Sequence, residues 1–206
     1  MDAHTQEKWN ETYMRRKIVS TVDFAKKALS FLEIQPGATI LDIGCGDGRD
    51  SMFFAQKGLH VTAIDFSEVA IAKLQKHSPS ITAIVKDIAT MDFPHATFDA
   101  VYAHLSLHYF DDKKTTEIFQ KVYDLLRDNG FFFVRCKSIH DPLYKKGQKI
   151  EEDMFLFEHA RHFFSVSYMK DKLHNFDILS LDETTASYDG KRSCFVEAVA
   201  RKKSAI

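Results

Sequence analysis

Short apolar runs alternate with amphipathic stretches along the chain. The runs Thr39–Ile43, His60–Ile64, Ile81–Lys86, Phe98–Ala103 and Phe131–Cys136 read as buried strands, and Phe176–Leu181 and Cys194–Ala200 add two more near the C-terminus. Helical spacing fills several of the intervals. Val22, Ala25, Ala28, Leu29 and Leu32 form one face ahead of the first strand, and Ser67 is placed to cap a helix from Glu68 to about His77. Ile118, Phe119, Val122, Leu125 and Leu126 mark a later helix that Thr115 or Thr116 would cap and Asn129-Gly130 would stop. Strands in alternation with helices imply parallel pairing and a sheet covered on both faces. The last two strands are joined by a turn, Tyr188-Asp189-Gly190, with no helix, which predicts an antiparallel hairpin at the sheet edge. From Ser138 to about Phe164 no strand or helical period is clear and charge is dense (DPLYKKGQKIEEDMF, then EHARHFF); a stretch that long predicts a lid over a site or a disordered excursion.

Composition narrows the class without changing this picture. The 206 residues predict one domain spanning 1–206, with an N-terminal cap over about 1–20 and the lid over about 138–164. A formal net charge of −1 gives no overall field for nucleic acid or an acidic membrane. Three cysteines, odd in number and far apart, argue against a disulfide framework and for a reducing cytoplasm. The polar N-terminus does not read as a signal peptide, and no apolar run approaches the roughly 18 residues of a membrane span. Eighteen phenylalanines point to an aromatic core or cavity.

Candidate chemistry begins at ILDIGCGDGRDSMFFAQKG, residues 40–58. Three of the chain's eight glycines, Gly44, Gly46 and Gly48, stand at alternate positions behind a strand. Glycine is entropically costly and is spent where a backbone takes unusual angles or approaches something closely. In an open parallel sheet that place, beyond the strand ends, is where ligands bind. A dinucleotide site uses G-x-G-x-x-G to bring helix amides to a pyrophosphate. Here the motif is D-x-G-x-G-x-G, and Asp42 would repel a phosphate, so the loop suits a ligand with a cationic amino group. Asp65 ends the second strand, where it can accept from two ribose hydroxyls, and Asp87 ends the third, placed for a base edge. Three acids on successive strand ends suit an adenosine that carries an amino acid. Alone, an Asp at a strand end is more often a turn or helix cap; it is the set that points to a ligand.

On the motif D-x-G-x-G-x-G and Asp65 the chain resembles the class I S-adenosylmethionine-dependent methyltransferases, most closely the small bacterial type-11/25 and TehB-like members, from about Phe31 to Arg201. That resemblance implies an α/β Rossmann-like, seven-stranded, mostly parallel sheet of order 3-2-1-4-5-7-6, its last strand antiparallel. It implies S-adenosylmethionine as cofactor and S-adenosylhomocysteine as product. Asp42 and the Gly44–Gly48 backbone, including Cys45, would hold the methionine amino end and Asp65 the ribose. Phe66 would line the adenine, Asp87 and the Ile88 amide would read its edge, and Ala103 would lie on the cofactor side of the fourth strand. Trp9 and Tyr13 would cover the cofactor, as N-terminal segments do in relatives, or simply pack.

Methyl transfer to a nucleophile needs alignment and, where the acceptor is protonated, a base. Past the fourth strand, in FDAVYAHLSLHYFDD, His104 is the first candidate for a base or substrate contact. His108 matches the histidine of the family's Leu-His segment and is the second, with packing as its competing role. Tyr109 follows on the substrate side. Nucleic-acid amino-methyltransferases carry [DNS]-P-P-[YFW] there; Ala103-His104-Leu105-Ser106 has no proline, which with the near-neutral charge counts against base methylation. Arg161 and His162 are expected to project from the lid into the pocket or to be solvated. His104/His108 and His159/His162 are too loose a set to predict a metal. Cys45 and Cys136 read as small core fillers, and three scattered cysteines oppose arsenic methylation.

These readings converge on a cytoplasmic enzyme, monomer or homodimer, that methylates a small molecule without nucleic-acid or membrane partners. A transfer to a soft chalcogen or thiol, TehB-like or thiopurine-type, would need no base. A non-catalytic cofactor-binding module is the rival from another class, and a nucleotide oxidoreductase is disfavoured by Asp42.

Overall fold

The structure is a computed structural model that describes residues 3–15, 23–32, 37–188 and 190–204. Its first half runs α1 (Ala3–Arg15), α2 (Asp23–Phe31), β1 (Thr39–Ile43), α3 (Arg49–Gln56), β2 (His60–Asp65), α4 (Glu68–His77), β3 (Thr82–Val85) and β4 (Phe98–His104). The second runs α5 (Asp112–Leu125), β5 (Leu126–Lys137), β6 (Gln148–Glu151), β7 (Met154–Phe157), β8 (His159–His162), α6 (Val166–Lys172), β9 (Phe176–Tyr188) and β10 (Lys191–Lys202).

Seven strands form one sheet in the order β3-β2-β1-β4-β5-β10-β9. Counted over these seven alone, the order is 3-2-1-4-5-7-6, and the last strand, β10, is antiparallel to both neighbours while β1 to β5 pair in parallel. Strand alternation sends side chains to two cores. Leu41, Val101, Phe132, Val134 and Val196 pack toward α5 and α6 with Ile118, Phe119 and Met169. Ile40, Tyr102 and Phe133 pack toward α2, α3 and α4 with Phe24, Phe54 and Leu74. Both faces are therefore dry, which explains why these strands read as near-continuous apolar runs.

Three expectations need correction. The stretch 138–164 is not strandless: β6, β7 and β8 make a three-stranded antiparallel sheet. It is joined to the end of β5, where the Phe164 N–H donates to the Lys137 carbonyl at 2.7 Å. The helix α5 is capped by Asp111, whose carboxylate accepts from the Lys114 N–H at 2.7 Å, and not by Thr115 or Thr116. That helix ends at Leu125, and Asn129, at φ +62°, instead turns an irregular start of β5. Ser67 does cap α4, accepting from the Ala70 N–H. Val22, Asp189 and residues 1–2 and 16–20 of the expected N-terminal cap lie outside the described residues. No described helix is long and apolar enough to cross a membrane.

Candidate active site

Beyond Ile43 the chain turns through Gly44 (φ +73°) and Gly46 (φ +58°), angles that side-chain-bearing residues rarely adopt. A Cβ on Gly44 would stand 2.3 Å from the Ser106 Cβ, and one on Gly46 2.6 Å from the Tyr13 hydroxyl. The loop is thus pressed between the end of β4 and α1. Backbone bonds fix it: the Gly44 and Cys45 N–H groups donate to the Ile64 carbonyl at 2.8 and 3.0 Å, and the Ser106 hydroxyl donates to the Ile43 carbonyl at 2.6 Å.

Buried carboxylates surround the loop. Asp65 accepts from the Gly46 N–H on one oxygen and from the Ser67 N–H on the other, both at 2.9 Å. Burial pushes its pKa up to about 6 against those two bonds, with Asp47 adding repulsion. Asp42 accepts from the Ser51 hydroxyl at 2.5 Å; burial raises it to about 7, Ser51 opposes, and Asp50 and Asp65 reinforce. One oxygen of buried Asp47, Oδ2, has no hydrogen-bond partner. The Asp87 carboxylate accepts from the Ala89 N–H at 2.9 Å, so Asp65 and Asp87 do cap turns while still facing a cavity.

Two cavities meet at this loop, and Trp9, Tyr13, Gly44, Leu105 and Tyr109 border both. The narrow one is closed by Asp65, Phe66, Asp87, Ile88, Ser106 and Phe110. The wide one, about 790 Å³, reaches Asp42, Cys45, Gly46, His104, His108 and Arg161. The structure therefore brings together most of the residues singled out from sequence. Three are not there. Gly48 borders neither cavity; it starts α3 at φ +84° against Leu74. Ala103 points the other way, into the core beside Leu41 and Val134. His162 also points away, packing on Phe164 and Tyr168, because alternation along β8 sends His159 and Arg161 to the cavity and His162 to the core.

Helix α1 closes the roof. Gln6 donates to the Phe66 carbonyl at 2.7 Å, Ser67 donates to Asn10 at 2.6 Å, and Lys73 bonds the Tyr13 carbonyl. The Trp9 ring stacks on His159 (4.8 Å, 18°) and meets Tyr109 edge-on at 5.3 Å. The two candidate histidines differ. An Arg49 amino group lies 3.2 Å from His104 Nδ1, and Asp50, which also receives the Tyr102 hydroxyl at 3.1 Å, lies 3.6 Å from the same nitrogen. His108 is 1% exposed and neither ring nitrogen has a partner. Burial, with the charges of Arg161 and Lys137, holds it well below the usual histidine range. Burial pushes the thiols of Cys45 and Cys136 well above the usual cysteine range, and for Cys45 the charges of Asp42 and Asp65 add to it. The described residues contain no group of three or more His, Cys, Asp or Glu arranged to hold a metal.

Sequence reasoning passed over Arg49, Asp50, Lys137, Asp141 and Ser193, all on the wide cavity, and weighed His159 only as part of a loose metal set. Of these, Arg49 and Asp50 continue the glycine motif directly and carried a local signal. Ser193 reaches the site only because β10 runs antiparallel and starts at the end of the sheet where β5 finishes.

Comparison with known proteins places this geometry. Residues 40–130 match the family model described as "Methyltransferase domain". The chain is 29% identical over 117 residues to phosphoethanolamine N-methyltransferase 3 of Arabidopsis thaliana, covering 54% of this chain and 24% of that protein. Its fold matches a SAM-dependent methyltransferase from Methanosarcina mazei (TM-score 0.77, 22% identity, 90% of this chain and 99% of that one). It also matches TehB from Haemophilus influenzae (TM-score 0.71, 18% identity, 89% and 63%). The matched region spans from about a quarter to about half of the length of the first curated relatives.

Proposed function

We propose that the chain, which matches a methyltransferase-domain family model over residues 40–130 and shares its fold with a SAM-dependent methyltransferase, is an S-adenosylmethionine-dependent enzyme that transfers a methyl group to a small-molecule acceptor held in the wide cavity. The observation that carries this reading is the pair of cavities meeting at the glycine loop, one narrow and acid-edged, one wide and polar.

The residues present fit the cofactor. Burial, reinforced by neighbouring carboxylates, pushes Asp42 up to about 7 and Asp65 up to about 6, and an Asp47 oxygen lacks a partner. An ammonium group and hydroxyl donors would satisfy all three; a phosphate would worsen each. Asp42 and the loop would hold the amino-acid end, Asp65 the ribose, and Phe66 with Asp87 and Ile88 the base. When bound, S-adenosylmethionine supplies a methyl group already activated on a sulfonium.

The chain's own residues then align and deprotonate. Trp9, Tyr13 and Tyr109 wall both cavities. An arginine only donates, so the Arg49 contact makes His104 Nδ1 an acceptor and leaves the proton on Nε2. His104 is then a hydrogen-bond donor that positions the acceptor. His108, neutral and without partners, takes the role of base for a protonated acceptor.

The test is titration with S-adenosylhomocysteine and with NAD, followed by turnover on an acceptor panel. S-adenosylhomocysteine should bind in the micromolar range, about −8 kcal/mol, and accumulate with at least one acceptor. Tight NAD binding without response to S-adenosylhomocysteine overturns the reading.

A further inference from the structure

The acids of the wide cavity stand at one end and the cations at the other. Asp42, Asp47 and Asp50 belong to the glycine loop and the start of α3, with Arg49 among them. The opposite wall is built from the end of β5, the segment after it, β8 and the start of β10, and carries Lys137, Lys146, Arg161, Lys191 and Arg192. Against these five stand only Asp141 and Glu158. Asp141 is committed: it accepts from Lys137 at 2.8 Å and from the Cys194 and Leu143 N–H groups at 3.0 and 2.9 Å. Lys146, Arg161, Lys191 and Arg192 form no ion pair with a carboxylate among the described residues. The whole chain has a net charge of −1, so this wall does not reflect a generally basic surface.

We propose that this wall binds an anionic group, a carboxylate or a phosphate, on the acceptor, so that the acceptor's nucleophile is presented toward the glycine loop. The proposal deepens the function above and rests on it. Two features make the wall more than a set of surface lysines. Lys137 is only 7% exposed and is fixed by Asp141 and by the Ser193 hydroxyl at 2.9 Å, so a charge and a hydroxyl are presented from a rigid sheet end. Arg161 is held across the Tyr109 ring at 5.7 Å, with its guanidinium bonded to the Phe157 carbonyl at 3.0 Å, which leaves further N–H donors for a fork-shaped acceptor. A cleft walled by one sign of charge concentrates counter-charged ligands. The cofactor's own carboxylate does not account for the wall, because Arg49 adjoins Gly48 at the other end.

The experiment uses the only tryptophan, Trp9, which borders the cavity, as a fluorescence reporter. S-adenosylhomocysteine is titrated first, which reads the cofactor assignment alone. Inorganic phosphate, acetate and tetramethylammonium are then titrated at constant ionic strength into both loaded and unloaded protein. Phosphate or acetate should saturate at about 1–10 mM, the range expected for a small ion on a few charged contacts, and whichever binds more tightly names the group. The triple variant Arg161→Ala/Lys191→Ala/Arg192→Ala should weaken that binding about tenfold or more while S-adenosylhomocysteine affinity stays within about twofold. Because Arg161 also packs on Tyr109, the double variant Lys191→Ala/Arg192→Ala, confined to exposed residues, should weaken it in the same direction. No saturable response to either anion, an equal response to tetramethylammonium, or unchanged anion affinity in both variants overturns the proposal.

Discussion

A base must have a free lone pair, and that requirement separates two histidines four residues apart. His104 is engaged by Arg49 at Nδ1, and His108 has both ring nitrogens open. If the acceptor must lose a proton, His108→Ala should cost about 10²–10⁴ in turnover, and His104→Ala less than about tenfold. Both should leave S-adenosylhomocysteine affinity nearly intact. Burial, with the charges of Arg161 and Lys137, holds His108 well below the usual histidine pKa of about 6.5, so it is neutral from about that pH upward. The rate profile should therefore show no histidine limb above that pH. A large loss in His104→Ala, together with an acidic limb in the parent rate profile that the variant lacks, restores His104 as the base; small losses in both point to an acceptor that is already a nucleophile. The sequence located both residues because one ends β4 and the other follows it. It could not rank them, since the distinction depends on Arg49, 55 positions away.

At the scale of elements, β1 to β5 were legible as apolar runs; the central strands β1 and β4 are buried almost throughout, whereas the edge strand β3 leaves Thr82 and Val85 exposed. The small sheet β6–β8 was not. Its strands are four residues each, Gln148, Lys149 and Ile150 of β6 are all exposed, and β7 buries Met154 and Phe155 in succession, so no period of two survives. Its turns use Asp153 and Glu158 at positive φ without the glycines that would announce them. That sheet changes the dynamic expectation for the lid. Amides in the central strand β7 should be protected from hydrogen exchange in the ligand-free protein, because they are paired on both sides. Exchange there as fast as at a chain terminus would instead restore a lid that orders only on binding. The glycine loop is the opposite case, where local sequence dictates an element's geometry. Gly44→Ala places a methyl 2.3 Å from the Ser106 Cβ at a strained φ, and the loop must move off its bonds to Ile64. Cofactor affinity should fall by about 5- to 150-fold, the equivalent of roughly 1–3 kcal/mol of backbone strain. Unchanged calorimetric affinity in a folded Gly44→Ala protein removes the loop from the site.

For the molecule as a whole, the sheet order could be reached only through family resemblance, since apolar runs do not say which strands are neighbours. What places the cationic wall is likewise global: β10 inserts antiparallel beside β5 and brings its first residues to the ligand end. Stability and ligand binding are linked through the same end of the sheet. In the ligand-free protein Asp42 and Asp65 titrate near 7 and 6, against about 3.9 in an unfolded chain. Between about pH 4 and 7 the native state therefore binds more protons than the unfolded one, and these two groups make stability fall as pH rises through that window. A bound ammonium favours the ionised carboxylates and reverses their contribution. At a hundredfold excess over Kd at pH 8, S-adenosylhomocysteine should stabilise by about 2.7 kcal/mol, or roughly 5–11 °C in Tm for a chain of this size. At pH 5.5 the same ligand concentration should give a clearly smaller shift, because Asp42 alone costs about tenfold in affinity for each pH unit below 7. Thermal melts at the two pH values, with calorimetry in buffers of different ionisation enthalpy to count released protons, measure both effects. Equal shifts and no proton release mean that these carboxylates do not face the ligand's charge, and the assignment of the amino-acid end to Asp42 fails.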